Sequence, residues 1–188
     1  MSSTTRLKIF FDTEFTGLRQ NTSLISIGLI TDRSAGERTF YAELHDFDIT
    51  QIDEWIRENV LKNLSYKDKL PFYNDTMKKH IYMKGNCKSV QEELYKWLKQ
   101  FDCTIDMWSD CLAYDWVLFN ELFGGAIQLP EFISYIPFDL CTLLKLKGID
   151  PDINREEFSG FTVGVEKHNS LWDAKVIKGC YEKIMGKE

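Results

Sequence analysis

The chain has 188 residues, 44% of them hydrophobic and 28% charged, a balance that suits one compact domain spanning 1–188 and excludes disordered, collagen-like and low-complexity classes. Lys and Arg total 23 against 29 Asp and Glu, a formal net charge of −6, the wrong sign for a protein that coats long nucleic acid by counterion release. Five scattered cysteines without a C-x-x-C pair, a first apolar run that stops at Asp12 and the lack of any bilayer-length apolar window lead us to expect reduced thiols, a cytoplasmic setting and no membrane partner.

Leu7 to Asp12 alternates, with Leu7, Ile9 and Phe11 on one side, and reads as a strand. Leu24 to Thr31 reads as a second, buried strand. Glu37 to Leu44 reads as a third, after the turn signal Arg33-Ser34-Ala35-Gly36. Three strands in a row suggest an antiparallel meander. From Ile52 to Leu64 the apolar positions, Trp55 among them, fall mostly at helical spacing. Residues 65–88 are polar and Lys-rich and are expected to form a long connection or a peripheral excursion. The lysines between 62 and 84 are either a solvated surface or a track for a nucleic-acid strand.

Ser89-Val90-Gln91-Glu92 has the form of a capping box and opens a helix with the stripe Val90, Leu94, Trp97, Leu98 and Phe101. A short strand follows at Thr104 to Ser109, then a helix from Asp115 to Phe123 that stops at Gly124-Gly125. Another strand is expected around Tyr135-Ile136, and a helix from Asp139 to Lys147, capped by Asp139. Residues 150–168 read as loop, and the last helix runs from about Ser170 to Ile184. The fold class is α/β: one mixed sheet, with an antiparallel meander and parallel strands, flanked by helices.

Four acids sit where apolar residues are expected. Asp12 and Glu14 are two residues apart at a strand end, so they point the same way. Asp115 shares a helix face with Leu118, Phe119 and Leu122, and Asp173 shares one with Ile177, Cys180 and Ile184. A charge on the core side of a helix is costly unless something pairs with it. One such acid would suit a helix cap; four suggest a ligand set for divalent cations, and hard oxygen donors favour Mg2+ or Mn2+. Asp110 competes with Asp115 for the same role, and the apolar stripe favours Asp115. His168 stands five residues before Asp173, within reach of an attacking water. Phe15 directly follows the acidic pair and either wedges against a terminal base or packs in the core; with Thr16 it is the expected substrate contact. His45 and His80 read as structural.

Three segments carry a family resemblance: Asp12-Thr13-Glu14-Phe15-Thr16-Gly17-Leu18, Tyr114-Asp115-Trp116, and His168-Asn169-Ser170-Leu171-Trp172-Asp173-Ala174. Together they resemble the exonuclease motifs of the DEDD superfamily in its DEDDh branch, enzymes that remove nucleotides from 3′ ends on a ribonuclease-H-like fold. With Trp55-Ile56-Arg57-Glu58-Asn59-Val60-Leu61 and Pro137-Phe138-Asp139-Leu140-Cys141-Thr142-Leu143, the chain looks most like bacterial and phage exoribonucleases of the ribonuclease AS type. That resemblance implies that Asp12, Glu14 and Asp173 hold one metal, that Asp12 bridges to a second, that Asp115 helps through water and that His168 is the general base. It also implies two Mg2+ or Mn2+ ions, the 3′ end of single-stranded RNA as substrate, and a homodimer. A proofreading-type DNA exonuclease and a non-catalytic binding module of the same fold are the alternative expectations. The long Lys-rich excursion and Ser109-Asp110-Cys111 depart from the family pattern.

Overall fold

The computed structural model describes residues 6–64, 79–164 and 167–186, together with the backbone of 72–74. Its frame is one seven-stranded sheet. The first strand, β1 (Arg6–Phe15), lies between β2 (Leu24–Thr31), to which it is antiparallel, and a later parallel strand, β6 (Thr104–Ser109). β3 (Thr39–Leu44) continues the meander beside β2, and β5 (His80–Gly85) adds to it in parallel. β4 (Phe72–Asn74) closes that edge and β7 (Phe138–Asp139) the other, giving the order β4-β5-β3-β2-β1-β6-β7. This mixed α/β sheet flanked by helices is consistent with the ribonuclease-H-like architecture that the sequence suggests.

β1 is apolar on both sides because it is central and covered on both faces. Ile9 and Phe11 join the larger core with Leu29, Phe40, Trp97 of α2 (Cys87–Lys99) and Phe119 of α3 (Leu112–Leu122). Phe10 points the other way. There it meets Ile30, Leu140 and Leu144 of α4 (Leu140–Leu146), and Ala174 and Ile177 of α6 (Ser170–Met185). A third, smaller cluster places Ile56 of α1 (Glu54–Asn59) and Val60 against Ile25.

Several elements differ from their sequence reading. β1 runs through Phe15, so Asp12 and Glu14 lie within the strand rather than at its end. The expected helix over 52–64 is shorter: Asp53 caps α1 by accepting the Ile56 N–H at 2.8 Å, and a 3-10 turn follows at Leu61–Asn63. The stretch read as a connection supplies β5, whose Ile81 and Met83 enter the core; part of it, 65–71 and 75–78, lies outside the described residues. α2 starts before the expected box because Asn86 accepts the Ser89 N–H at 2.8 Å, and Asp46 accepts the Cys87 N–H at 2.9 Å. α3 opens at Leu112, which puts Asp115 inside its first turn and not at its cap. The edge strand is Phe138–Asp139, while Tyr135 and Ile136 are exposed. A short helix, α5 (Arg155–Ser159), occupies the region read as loop; five residues are too few to show a period. Asp139 caps α4 as expected, accepting the Cys141 and Thr142 N–H groups.

One close approach governs where α6 starts. Gly28 faces Asp12 in the β1–β2 ladder, and a Cβ on Gly28 would lie 2.3 Å from the backbone nitrogen of Leu171. Only glycine lets the first turn of α6 rest on β2 there. The seat is reinforced by a hydrogen bond between the Ser26 and Ser170 hydroxyls at 3.0 Å. Gly28→Ala is therefore expected to destabilise the protein by about 1–3 kcal/mol through overpacking. It should also push Asp173 away from Asp12. Urea melts would check the first effect, and an unchanged midpoint would show that α6 can yield without cost.

Candidate active site

The pleat of β1 sends Asp12 and Glu14 to the Phe10 side of the sheet, toward α6, whose first turn carries Asp173. Asp12, Glu14 and Asp173 bring one carboxylate oxygen each within 4.8 Å of one another, and Asp12, Asp110 and Asp115 form a second such group. Asp12 belongs to both. These are the clusters of three or more potential ligands among the described residues. Asp115 is fully buried. Its Oδ1 accepts from the Thr13 backbone N–H at 3.2 Å and from Thr13 Oγ1 at 2.5 Å, while the Ser109 hydroxyl donates to Oδ2. Asp110, just after β6, forms an ion pair with Arg155 Nε at 2.7 Å.

Burial and mutual repulsion push these acids upward. Burial raises Asp12 well above the usual carboxylate range, and the charges of Asp115, Asp173, Glu14 and Asp110 add to it. Glu14 is pushed up to about 8, by burial first and then by Asp173 and Asp115. Asp115 reaches about 7 by burial, despite the opposing hydrogen bonds from Ser109 and Thr13. Asp173 also reaches about 7, by burial and then by Asp110 and Glu156. Arg155 answers Asp110, but no ion pair with a Lys or Arg is present at Asp12, Glu14 or Asp173 among the described residues. An all-oxygen donor set with uncompensated negative charge is chemically suited to a hard divalent cation.

His168 occupies the turn before α6 with a φ of +64°, a conformation seldom taken by residues other than glycine. Its Nδ1 lies 4.0 Å from Glu14 Oε1, and its ring meets Trp55 edge-on, with centroids 5.2 Å apart and planes at 77°. Burial and then Lys167 lower its pKa, so the imidazole is neutral at physiological pH.

Asp12, Glu14, Asp110, His168 and Asp173 share one cleft of about 1100 Å³, lined also by Phe15, Leu18, Arg19, Trp55 and Arg155, while fully buried Asp115 lies behind its wall. Phe15 stacks its ring on Tyr114 at 5.3 Å and packs against the core, and it also lines the cleft. Thr16 is different: it is fully buried, donates to Gln51 Oε1 at 2.5 Å and accepts the Ser23 N–H at 2.8 Å. Its side chain builds the loop and does not line the cleft. Trp55, read as part of an apolar stripe, is 56% exposed, and Leu18 is 72% exposed. Arg155 carried no signal in the sequence because its helix carried none.

Asp12 and Glu14 of the central strand, with Asp110, Asp115 and Asp173 around them and His168 beside Glu14, form an acidic cluster whose oxygen donors could hold divalent cations. The chain belongs to the family of the 3′–5′ exoribonuclease Rv2179c-like domain, whose model matches residues 7–185. It is similar to the 3′–5′ exoribonuclease Rv2179c of Mycobacterium tuberculosis strain H37Rv, with 26% identity over 144 residues that cover 76% of each chain. It is equally similar to the 3′–5′ exoribonuclease MT2234.1 of strain CDC 1551, with the same identity and coverage. The chain is thus a hydrolytic 3′–5′ exoribonuclease. Among the described residues no helix is long and apolar enough to cross a membrane.

The raised acids give metal-free stability a defined pH dependence. Glu14, Asp115 and Asp173 titrate near 8, 7 and 7 when folded, against roughly 4 in an unfolded chain. The folded form therefore keeps protons that the unfolded chain has released, so stability falls as pH rises through that window and levels off above it. Melting temperatures in EDTA are expected to drop steadily from pH ~5 to ~8, and Asp173→Asn should flatten the profile. A rising profile would mean that the acids are held by partners.

Proposed function

We propose that this exoribonuclease is a DEDDh-type enzyme that shortens single-stranded RNA from its 3′ end, one nucleoside monophosphate at a time, with two divalent cations and His168 as general base. The observation that carries the reading is the pair of acid triads meeting at Asp12, with His168 beside Glu14. Asp12, Glu14 and Asp173 would hold one Mg2+ or Mn2+, and Asp12 would share the second with the Asp110–Asp115 side. Two such ions lower the pKa of the attacking water, neutralise charge on the scissile phosphate and stabilise the leaving alkoxide.

The chain's own part follows from the residues. Neutral His168 accepts the proton of the attacking water, and the imidazolium so formed faces the Glu14 carboxylate. Asp115, locked by Thr13 and Ser109, keeps a carboxylate oxygen within 4.8 Å of Asp12 and has little freedom to swing onto substrate. Phe15, Leu18 and Trp55 offer apolar faces at the cleft for terminal bases, where base–aromatic stacking is worth about 1–3 kcal/mol per base. RNA is favoured over DNA because the family and both relatives are named for RNA.

End-labelled RNA and DNA oligomers, incubated with Mg2+, Mn2+ or EDTA, test the reading. We expect a ladder that shortens from the 3′ end of RNA, mononucleotide products, and silence in EDTA. Equal or faster digestion of DNA would assign the proofreading-type alternative, and cleavage of a circular RNA would exclude exonuclease action as the main activity.

Turnover and metal binding separate the roles of the acids from that of the histidine. His168→Ala should lower kcat by about 10²–10⁴ while leaving Mn2+ affinity, read by calorimetry, nearly unchanged. Asp12→Ala should lose both. Equal loss of Mn2+ binding in the two variants would make His168 a ligand instead of a base.

A further inference from the structure

His168 must keep an uncommon backbone conformation in a turn, and its imidazole must stay beside Glu14. Besides the approach of Glu14, the segment around α1 reaches this turn. The Asn63 carboxamide has two N–H donors, and both are used. Nδ2 donates to the Asn59 carbonyl at 2.7 Å, within its own segment, and to the Lys167 carbonyl at 2.9 Å, across the cleft wall. The Asn63 carbonyl in turn accepts from Asn169 Nδ2 at 3.5 Å, while Asn169 Oδ1 caps α6 by accepting the Trp172 N–H at 3.2 Å. Asn63 thus grips the residues on both sides of His168. Eight residues earlier on the same segment, Trp55 meets the imidazole edge-on. Backbone and ring are held from α1 and the 3-10 turn that follows it.

We infer that Asn63 is a positioning residue for catalysis, its carboxamide holding the Lys167–Asn169 turn so that His168 is presented to the acid cluster. The inference rests on the reading of His168 as general base. Asn63 touches neither substrate nor the acids; it acts through the histidine. A primary amide suits the task, because its two hydrogens point at two carbonyls that must be joined. An aspartate of the same size offers both carbonyls only oxygens and repels them. Asn63 is itself exposed, so replacing it leaves the core intact.

The test is a double-mutant cycle on the full-length protein, with Asn63→Asp and Asn63→Ala made alone and together with His168→Ala. Each Asn63 variant alone is expected to lower kcat on a short RNA about tenfold, as for a misplaced catalytic group, with KM changed less than about twofold. Mn2+ affinity by calorimetry should be unchanged. In the His168→Ala background neither substitution should lower kcat further. Of the three histidines, His168 is the one whose imidazole NMR signal vanishes in His168→Ala, and that signal should shift in both Asn63 variants of the metal-free protein. An equal loss of kcat in both backgrounds, or an unmoved His168 signal, would overturn the inference. Full kcat in the Asn63 variants would do the same while leaving His168 as the base. Full kcat in His168→Ala would instead overturn the base reading, and the inference with it.

Discussion

Five carboxylates converge where the central strand passes between two helices, and that crowding of like charge is the constraint to which the rest of the site answers. Each buried acid loses hydration that water would have supplied, and each raises the cost of ionising the next. The protein relieves part of the problem itself. Asp110 has Arg155, and Asp115 has three hydrogen bonds from Thr13 and Ser109. Asp12, Glu14 and Asp173 receive no comparable cation. Compensation is therefore greater on one side of Asp12 than on the other, an asymmetry that a packing role for these acids does not explain.

The sheet makes the convergence possible. Along β1, Thr13 faces α3 and reaches Asp115, while Asp12 and Glu14 face α6 and reach Asp173. Helices on opposite faces of one strand can each deliver a carboxylate because the strand is central and ends at the same edge of the sheet as β6. Gly28 sets the spacing on the α6 side. A side chain at that ladder position would hold the helix away, and Asp173 with it. Packing and chemistry are thus coupled through one missing methyl group, and the core clusters on either face hold both helices rigidly enough for small displacements to matter.

Much of this was legible in the sequence, for reasons that can be assigned to particular residues. Acids at positions that should be apolar stood out at Asp12, Glu14, Asp115 and Asp173, because burial of charge breaks the period that surrounds it. β2 and β6 were legible to the residue because each is bounded by turn or polar signals. What escaped was short or decided by tertiary contact. β5 hides in a polar stretch since only Ile81 and Met83 need to be apolar on a strand with one face in the core. α5 has five residues, fewer than two turns, and with it Arg155 was invisible. The buried setting of the Thr16 side chain escaped because a loop's inward or outward sense has no period. Trp55 fell on an apolar stripe, and its stripe was real, yet the ring lies at the margin where core gives way to cleft.

The same electrostatics bear on how substrate is admitted, if the proposed function holds. RNA is a polyanion, and the chain is acidic overall, with five carboxylates gathered at the proposed reaction centre. Arg19 and Lys167 line the cleft, but Arg155 is already spent on Asp110. A phosphodiester entering the bare site would meet repulsion from those of Asp12, Glu14 and Asp173 that are ionised, at short range and with little screening. A divalent cation bound there reverses the sign of that local field. Cation and RNA would then favour each other's binding by the same factor, as linkage requires. The apolar surfaces of Leu18, Trp55 and Phe15 can hold bases whatever the charge, so the bases supply grip and the acids decide when the phosphate can follow. Uncompensated charge at the centre of the sheet therefore selects for the loaded enzyme twice, once in stability and once in substrate entry.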